Sequence, residues 1–259
     1  MGGETSAVVI IATIGNETLS RSIMSVVRQT FKNTHCIVVV DGPKFADRAA
    51  HFLEPFADHP RVQRVLLPQN TGSNGYVCHR IYAAMPLLVN EDYVFFLDDD
   101  NWFDEDHVES LVTLCERESL DWAYGLRRII GADGQAICDD ECESLGRWPV
   151  WYNDGVHHVD TNCYCLRRQV AVDSSRVWHC SRLDANGKVL PSADTLLCGW
   201  LLQHRPNVAT NGRCTVNYVL GSWALSPKPE FFLTGNARYR QRYPAGLPWR
   251  CEDAKPLPS

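Results

Sequence analysis

Short apolar runs, each ending in a polar turn and separated by segments of helical period, constrain this chain more than any other feature. Ala7-Val8-Val9-Ile10-Ile11-Ala12 and Cys36-Ile37-Val38-Val39-Val40 are continuous and rich in β-branched residues, as strands buried on both faces require. Residues 62–67 and 93–97 repeat the pattern. Between these runs, Leu19, Ile23, Val26 and Val27 share one face of a helix that Asn16 or Thr18 can cap. Ala49, Phe52, Leu53 and Phe56 mark a second helix over 46–56, and 75–85 reads as a third, stopped around Pro86. Strand–helix alternation of this kind predicts an α/β fold with a mostly parallel, doubly wound sheet. The turns Thr13-Ile14-Gly15-Asn16, Asp41-Gly42, Asn70-Thr71-Gly72 and Asp98-Asp99-Asp100 then all fall at the same end of parallel strands and line one crevice. No Gly-x-Gly-x-x-Gly follows the first run, which disfavours a dinucleotide site.

The sharpest of these turns closes Phe95-Phe96-Leu97-Asp98-Asp99-Asp100, where a buried run ends in three carboxylates. Adjacent like charges repel, and a divalent cation among them relieves the repulsion. Hard oxygen ligands favour Mg2+ or Mn2+ over zinc, and these ions take phosphates as their other partners. The site reading is a phosphate-bearing ligand bridged to the strand end by a metal; the plain reading is a solvated acidic turn ahead of the next helix.

Beyond the aspartates, Asp104 is placed to cap a helix with Glu105 and Asp106 in its first turn and Val108, Leu111, Val112 and Cys115 on its apolar stripe. Residues 122–124, 127–130 and 136–138 read as short strands, with Gly131-Ala132-Asp133-Gly134 as a hairpin turn. A Trp-containing loop covers 139–153, and a strand lies within 156–167. Helices are expected over 193–204 and 230–243 and a strand over 214–220; the Pro-containing end, 244–259, is expected to be poorly ordered.

Charge and cysteine content narrow the function. A net charge of −6 offers no basic footprint, so nucleic acid is not expected as a partner. No apolar run approaches the ~20 residues that span a bilayer. Residues 1–6 lack a basic region, and the 7–12 run is too short for a signal-peptide core. Gly2 with Ser6 loosely fits a myristoylation pattern, though an ordinary exposed start fits as well. Eleven scattered cysteines without Cys-x-x-Cys point to reduced, mostly buried thiols, with Cys163 and Cys165 packed on one strand face. The expectation is a protein at the cytoplasmic side, with peripheral membrane association open.

The order and spacing of these motifs resemble the family-2 glycosyltransferases with a GT-A fold. The resemblance is carried by Ala12-Thr13, by Leu-x-x-x-Ile-x-Ser-Val-x-x-Gln-Thr from Leu19 to Thr30, and by Val38-Val39-Val40-Asp41. It continues through Asn70-x-Gly72, Arg80 in the next helix, and Leu97-Asp98-Asp99-Asp100. It covers the first half; Thr13-Ile14-Gly15-Asn16 stands where Thr-Tyr-Asn-Arg is commoner, and Cys78-His79-Arg80 where Ala-Arg-Asn is, one residue late. The resemblance implies a nucleotide-diphospho-sugar transferase fold: a nucleotide-sugar half over 1–120, a smaller mixed acceptor half over 121–243, and a tail over 244–259. It implies inverting transfer from a nucleoside-diphosphate sugar, UDP by family default, to a carbohydrate or lipid-linked acceptor hydroxyl, with Mn2+ or Mg2+. Thr13, Asp41, Asn70, Gly72, Arg80, Asp98 and Asp99 would meet the donor, and Asp98 and Asp100 the metal.

The attacking hydroxyl needs a base, and a carboxylate of raised pKa suits the task. The family places it at a helix start in the second half, often as Glu-Asp; Pro191-Ser192-Ala193-Asp194-Thr195 fits, with Ala193 in place of Glu. Asp194 is the expected base, Asp160 is a second candidate, and a simple capping role for Ser192 or Asp194 is the alternative. Trp102, Trp148 and Trp151 are candidate sugar-stacking rings, and Arg238, Arg240 and Arg242 a candidate anion contact; packing and a solvated helix face are their plain readings. Two other classes compete: a non-catalytic nucleotide- or carbohydrate-binding module, and a sugar-nucleotide pyrophosphorylase. The latter needs a Gly-rich basic loop after the first strand, and residues 13–18 hold one Gly and no basic side chain.

Overall fold

The β-branched runs become the centre of a sheet that the later chain completes. The computed structural model describes residues 4–184, 186–188, 190, 192–221 and 226–250. Gly2, Pro191 and residues 251–259, on which expectations above also fell, lie outside them. The first part alternates β1 (Ala7–Thr13), α1 (Leu19–Val27), β2 (Thr34–Val40), α2 (Ala46–Leu53), β3 (Val62–Leu66), α3 (His79–Ala84) and β4 (Tyr93–Asp98). β1 pairs in parallel with β2 on one side and β4 on the other, and β2 with β3. Every residue of β1 is buried, which accounts for a run with no polar alternation.

The second part is mixed. It comprises β5 (Trp102–Phe103), α4 (His107–Arg117), β6 (Trp122–Ile130), β7 (Ala136–Asp139), β8 (Pro149–Val150), β9 (Asn153–His157), β10 (Tyr164–Arg167), α5 (Arg168–Asp173), α6 (Ser175–Trp178), α7 (Ala193–His204), β11 (Val208–Val219) and α8 (Pro229–Arg242). The main sheet runs β3-β2-β1-β4-β10-β6-β11-β5, with β7 paired to β6. β10 enters antiparallel between β4 and β6, and β11 runs parallel to β6. The expected α/β fold with a mainly parallel sheet is therefore present. Its order turns at β1: β2 and β3 lie on one side and β4 on the other, and the crevice of an open α/β sheet forms at such a reversal.

Several local expectations change. The two short strands over 122–130 are one strand, because Gly125 interrupts only the sequence pattern; a Cβ there would stand 3.0 Å from Thr215 Oγ1. Asp104 does not cap α4, whose N-cap position is Asp106; the Asp104 carboxylate instead accepts from Asn217 Nδ2 at 2.8 Å. Neither Asn16 nor Thr18 caps α1 through its side chain, since the Thr18 hydroxyl donates to the Asp99 carbonyl. The third helix is shorter than expected, its first residues forming an irregular loop with positive φ at Asn74, Gly75 and Val77. Residues 244–250 are not loose: Trp249 is fully buried against Trp148, Tyr239 and Tyr243. One hydrophobic core runs through both parts, from Val8 to Trp249. The ten cysteines of the described residues are all unpaired. No described helix is long and apolar enough to cross a membrane.

Candidate functional site

At the reversal, β1 and β4 are in register, Ala12 beside Asp98, and the turns that leave β1, β2, β3 and β4 converge on a cavity of about 570 Å³. Its walls include Thr13, Asp41, Asn70, Gly72, Asp98, Asp99 and Asp100 from the first part and Arg127, Glu143, His158, Asp160, Arg182 and Asp194 from the second.

Most polar side chains on the first wall hold the turns themselves. Thr13 Oγ1 donates to the Asp99 carboxylate and accepts from Gly15 N at 2.8 Å. Asp41 accepts from Thr71 N at 2.7 Å, Thr71 Oγ1 at 2.8 Å and Gly72 N at 2.8 Å, so the carboxylate expected to read a nucleobase braces the neighbouring loop. One lone-pair direction on Asp41 Oδ2 is left. Two glycines permit this closeness. Gly42 sits at φ +108°, where a Cβ would stand 2.7 Å from Asn70 N; at Gly72 it would stand 2.3 Å from Val77 O. Asn70 is different: its Oδ1 is buried on the cavity wall and has no hydrogen-bond partner among the described residues, an acceptor that a bound donor group would satisfy.

Asp98 is the most constrained of the three consecutive carboxylates. Tyr82 OH donates to Oδ1 at 3.0 Å and Asn162 Nδ2 to Oδ2 at 3.0 Å. Burial first, then the charges of Asp100 and Asp160, push the Asp98 carboxyl well above the usual carboxylate range. Carboxylates that repel in this way are oxygen donors suited to a hard divalent cation, and the pair Asp98 and Asp100 fits Mn2+ or Mg2+ on that chemistry. Asp99 turns the other way, to Thr13 and Asn16, and burial raises its pKa.

The second wall is a charge cluster that pattern reading does not reveal. Arg127, 2 % exposed, donates to Asp140 at 2.8 Å, to Asp160 at 2.5 Å and to Glu143. Asp140 also takes the backbone N–H groups of Cys142, Glu143 and Ser144, so it is fully paired. Asp160, the second base candidate, is paired as well: Oδ1 accepts from Asn162 N and Nδ2, and Oδ2 from Arg127. It is therefore a bracing group, with one lone-pair direction left on Oδ2.

Asp194 stands at the first turn of α7. Its Oδ1 accepts from Thr195 N at 2.8 Å and lies 3.9 Å from His158 Nδ1. Burial would raise its pKa, but His158, the Ser192 hydroxyl, Arg182 and His79 outweigh burial and hold it below the usual range. The sequence reading asked for a raised pKa; the surrounding groups reverse the sign. His158, Asp160 and Asp194 bring ligand atoms within 4.8 Å of one another. Within the trio, Arg127 and Asn162 each hold one Asp160 oxygen.

Arg80 does not reach the cavity wall. Its guanidinium lies 3.4 Å from the Tyr76 ring centroid and bonds the Thr71 carbonyl, bracing the 70–77 loop. Arg182, from a segment tied to that loop by Arg182 N to Gly75 O at 2.8 Å, is the cation there instead. The candidate stacking rings pack elsewhere: Trp102 under Arg21, Trp148 on Trp249 and Trp151 on Phe231. Arg240 pairs with Glu141 and Arg242 with Asp154, while Arg238 lies over the Trp151 ring. Sequence reasoning missed Arg127, Glu143, His158 and Arg182 as wall residues, and Asn162 buried behind them. The one available signal was His157-His158 two residues ahead of Asp160.

The family model described as Glycosyl transferase family 2 matches residues 7–162. No curated protein matches the sequence. Among solved structures, the chain is similar to S. aureus TarS 1-349 in complex with UDP, at TM-score 0.61 and 13 % identity over 89 % of this chain and 63 % of that one. It is similar to the same protein in complex with UDP-GlcNAc, at TM-score 0.60 and 11 % identity over 85 % and 60 %. The chain thus spans less than two thirds of those structures.

Proposed function

The chain belongs to glycosyl transferase family 2 and has the GT-A fold, and from that premise we propose that it transfers a sugar from a nucleoside-diphosphate sugar to an acceptor hydroxyl with inversion. The observation that carries the reading is the cavity where Asn70 Oδ1, without a partner among the described residues, meets the Asp98–Asp100 carboxylates and Asp194. A uridine nucleotide is the donor we assign, supported by the UDP and UDP-GlcNAc complexes of the structural neighbour.

The roles follow from what each side chain has left to give. Asn70 Oδ1 accepts from the nucleoside, and the loop held by Asp41 shapes the wall around it. Asp98 and Asp100 would hold Mn2+ or Mg2+, which when bound neutralises the charge that grows on the departing diphosphate. Arg182 adds a second positive charge to the wall. Asp194, kept ionised by its neighbours, takes the proton of the attacking hydroxyl. Its acidity makes it a weak base in solution, so its contribution rests on placement as well as on proton affinity. The acceptor is a carbohydrate or lipid-linked hydroxyl.

Incubation with UDP-GlcNAc and a panel of sugar and lipid-linked acceptors, with product anomers read by NMR, tests the reading. A product whose anomeric configuration is inverted relative to the donor supports it. A retained configuration would overturn the single-displacement role of Asp194.

A further inference from the structure

Asn162 lies at the seam between the two walls and is fully buried. Its carboxamide oxygen accepts from Asp98 N at 2.6 Å, while its NH2 donates to Asp98 Oδ2 at 3.0 Å and to Asp160 Oδ1 at 2.7 Å. Asp160 is itself fixed by Arg127 at 2.5 Å and by Asn162 N at 3.0 Å. Asp98 is thus held from two directions: Tyr82 of α3 on one oxygen and Asn162 on the other, with the Asp98 peptide clamped as well.

Only a carboxamide meets all of these demands. It supplies one acceptor for a backbone N–H and two donors for two carboxylates. An aspartate would put a third acceptor among acceptors, and a leucine would leave the Asp98 N–H buried without a partner. The position joins the strand that ends in the acidic turn to the cluster built on Arg127, and no other contact of Asp98 reaches that cluster among the described hydrogen bonds.

We propose that Asn162 is a positioning residue for the divalent cation: it sets the rotamer and peptide plane of Asp98, and Arg127, acting through Asp160, sets the rotamer of Asn162. The proposal rests on the metal-binding reading of Asp98 and Asp100 given above. The acceptor-side cluster thereby prepares the metal-side carboxylate before donor or metal arrives, since every bond in the chain is intramolecular.

The test titrates Mn2+ into the UDP-saturated protein by calorimetry, for wild type, Asn162→Leu and Asn236→Leu. Asn236 is the matched control: it is also buried, accepts from Glu141 N at 2.9 Å and donates to the Asp139 carbonyl at 2.7 Å, and is not on the cavity wall. The expected result is Mn2+ binding at least tenfold weaker in Asn162→Leu and within twofold of wild type in Asn236→Leu, with thermal midpoints lowered in both. Asn162→Ser, too short to reach both carboxylates, replaces the leucine variant if that one does not fold, with the same expectation. Wild-type Mn2+ affinity in the position-162 variant, or an equal loss in the control, overturns the positioning role. A wild-type protein that binds neither UDP nor Mn2+ overturns the glycosyltransferase reading, and the proposal with it.

Discussion

The two walls of the cavity hold their polar side chains by different physical means. The first wall is made of strand-end turns, and its side chains are fixed by bonds to backbone N–H groups and hydroxyls: Asp41 to residues 71 and 72, Thr13 to residue 15. The second wall is held by charge: Arg127, buried, between Asp140, Glu143 and Asp160 from three separate points of the chain. Losing one bond in the turns strands a buried amide or hydroxyl, at about 1–3 kcal/mol. Losing one member of the guanidinium cluster costs more, because it strands charges in a medium that solvates them poorly. The first wall is therefore built to be shaped locally, and the second to be rigid as a unit.

That contrast is broken most directly at Arg127. Arg127→Met should destabilise the protein by about 3–5 kcal/mol, as expected when one member of a buried ion cluster is removed, with a correspondingly lower midpoint in urea unfolding. A loss below ~1 kcal/mol would show that the cluster is solvated and that the two walls do not differ. Asp194→Asn separates chemistry from architecture on the same wall. It should lower the transfer rate by ~10² or more while UDP affinity stays near wild type. If UDP binding collapses as well, Asp194 is a structural cap of α7.

The start of α4, away from the cavity, supplies a pH test. His107 stacks on Phe103, bonds the Thr215 hydroxyl, and is pushed by burial down to about 3. The unfolded chain takes up this proton near pH 6.5 and the folded one does not, so stability is full above 6.5 and falls as pH drops toward 3. Wild type should lose about 2 kcal/mol of stability relative to His107→Gln from pH 8 to pH 5. Equal acid limbs in the two proteins would place the imidazole in contact with water. The smallest expected effect is on the first wall: Gly42→Ala, at φ +108° and with a Cβ pressed toward Asn70 N, should cost about 1–2 kcal/mol and weaken UDP binding through the displaced Asn70. An unchanged UDP affinity would detach Asn70 from the nucleoside.

The same contrast explains what the sequence disclosed. β1, β2 and β4 are continuous apolar runs because both faces are covered, and their polar ends announce themselves as breaks in hydrophobicity; α7 was bounded correctly at Ala193 and His204 for the same reason. Which atoms those polar ends use was not legible. Asp41, Asp99 and Thr13, expected to face a ligand, line the cavity, and their side chains also bond the turns beside them, because a buried polar group takes the nearest partner. The second wall left almost no local trace. Arg127 sits in an ordinary strand sequence, and its partners lie 13, 16 and 33 residues away, a separation no period reports. The antiparallel entry of β10 between β4 and β6, which brings Asn162 to Asp98, is likewise a consequence of topology.

The central claim is that Asp98 and Asp100 make one cation-dependent donor site with the turns of the first wall. Calorimetric titration of UDP, with and without Mn2+, into wild type and Asp100→Asn tests it most directly. The account predicts UDP binding that Mn2+ strengthens at least tenfold in wild type, with the strengthening absent in the folded variant. UDP binding indifferent to Mn2+ in wild type, or an undiminished Mn2+ effect in Asp100→Asn, would contradict it.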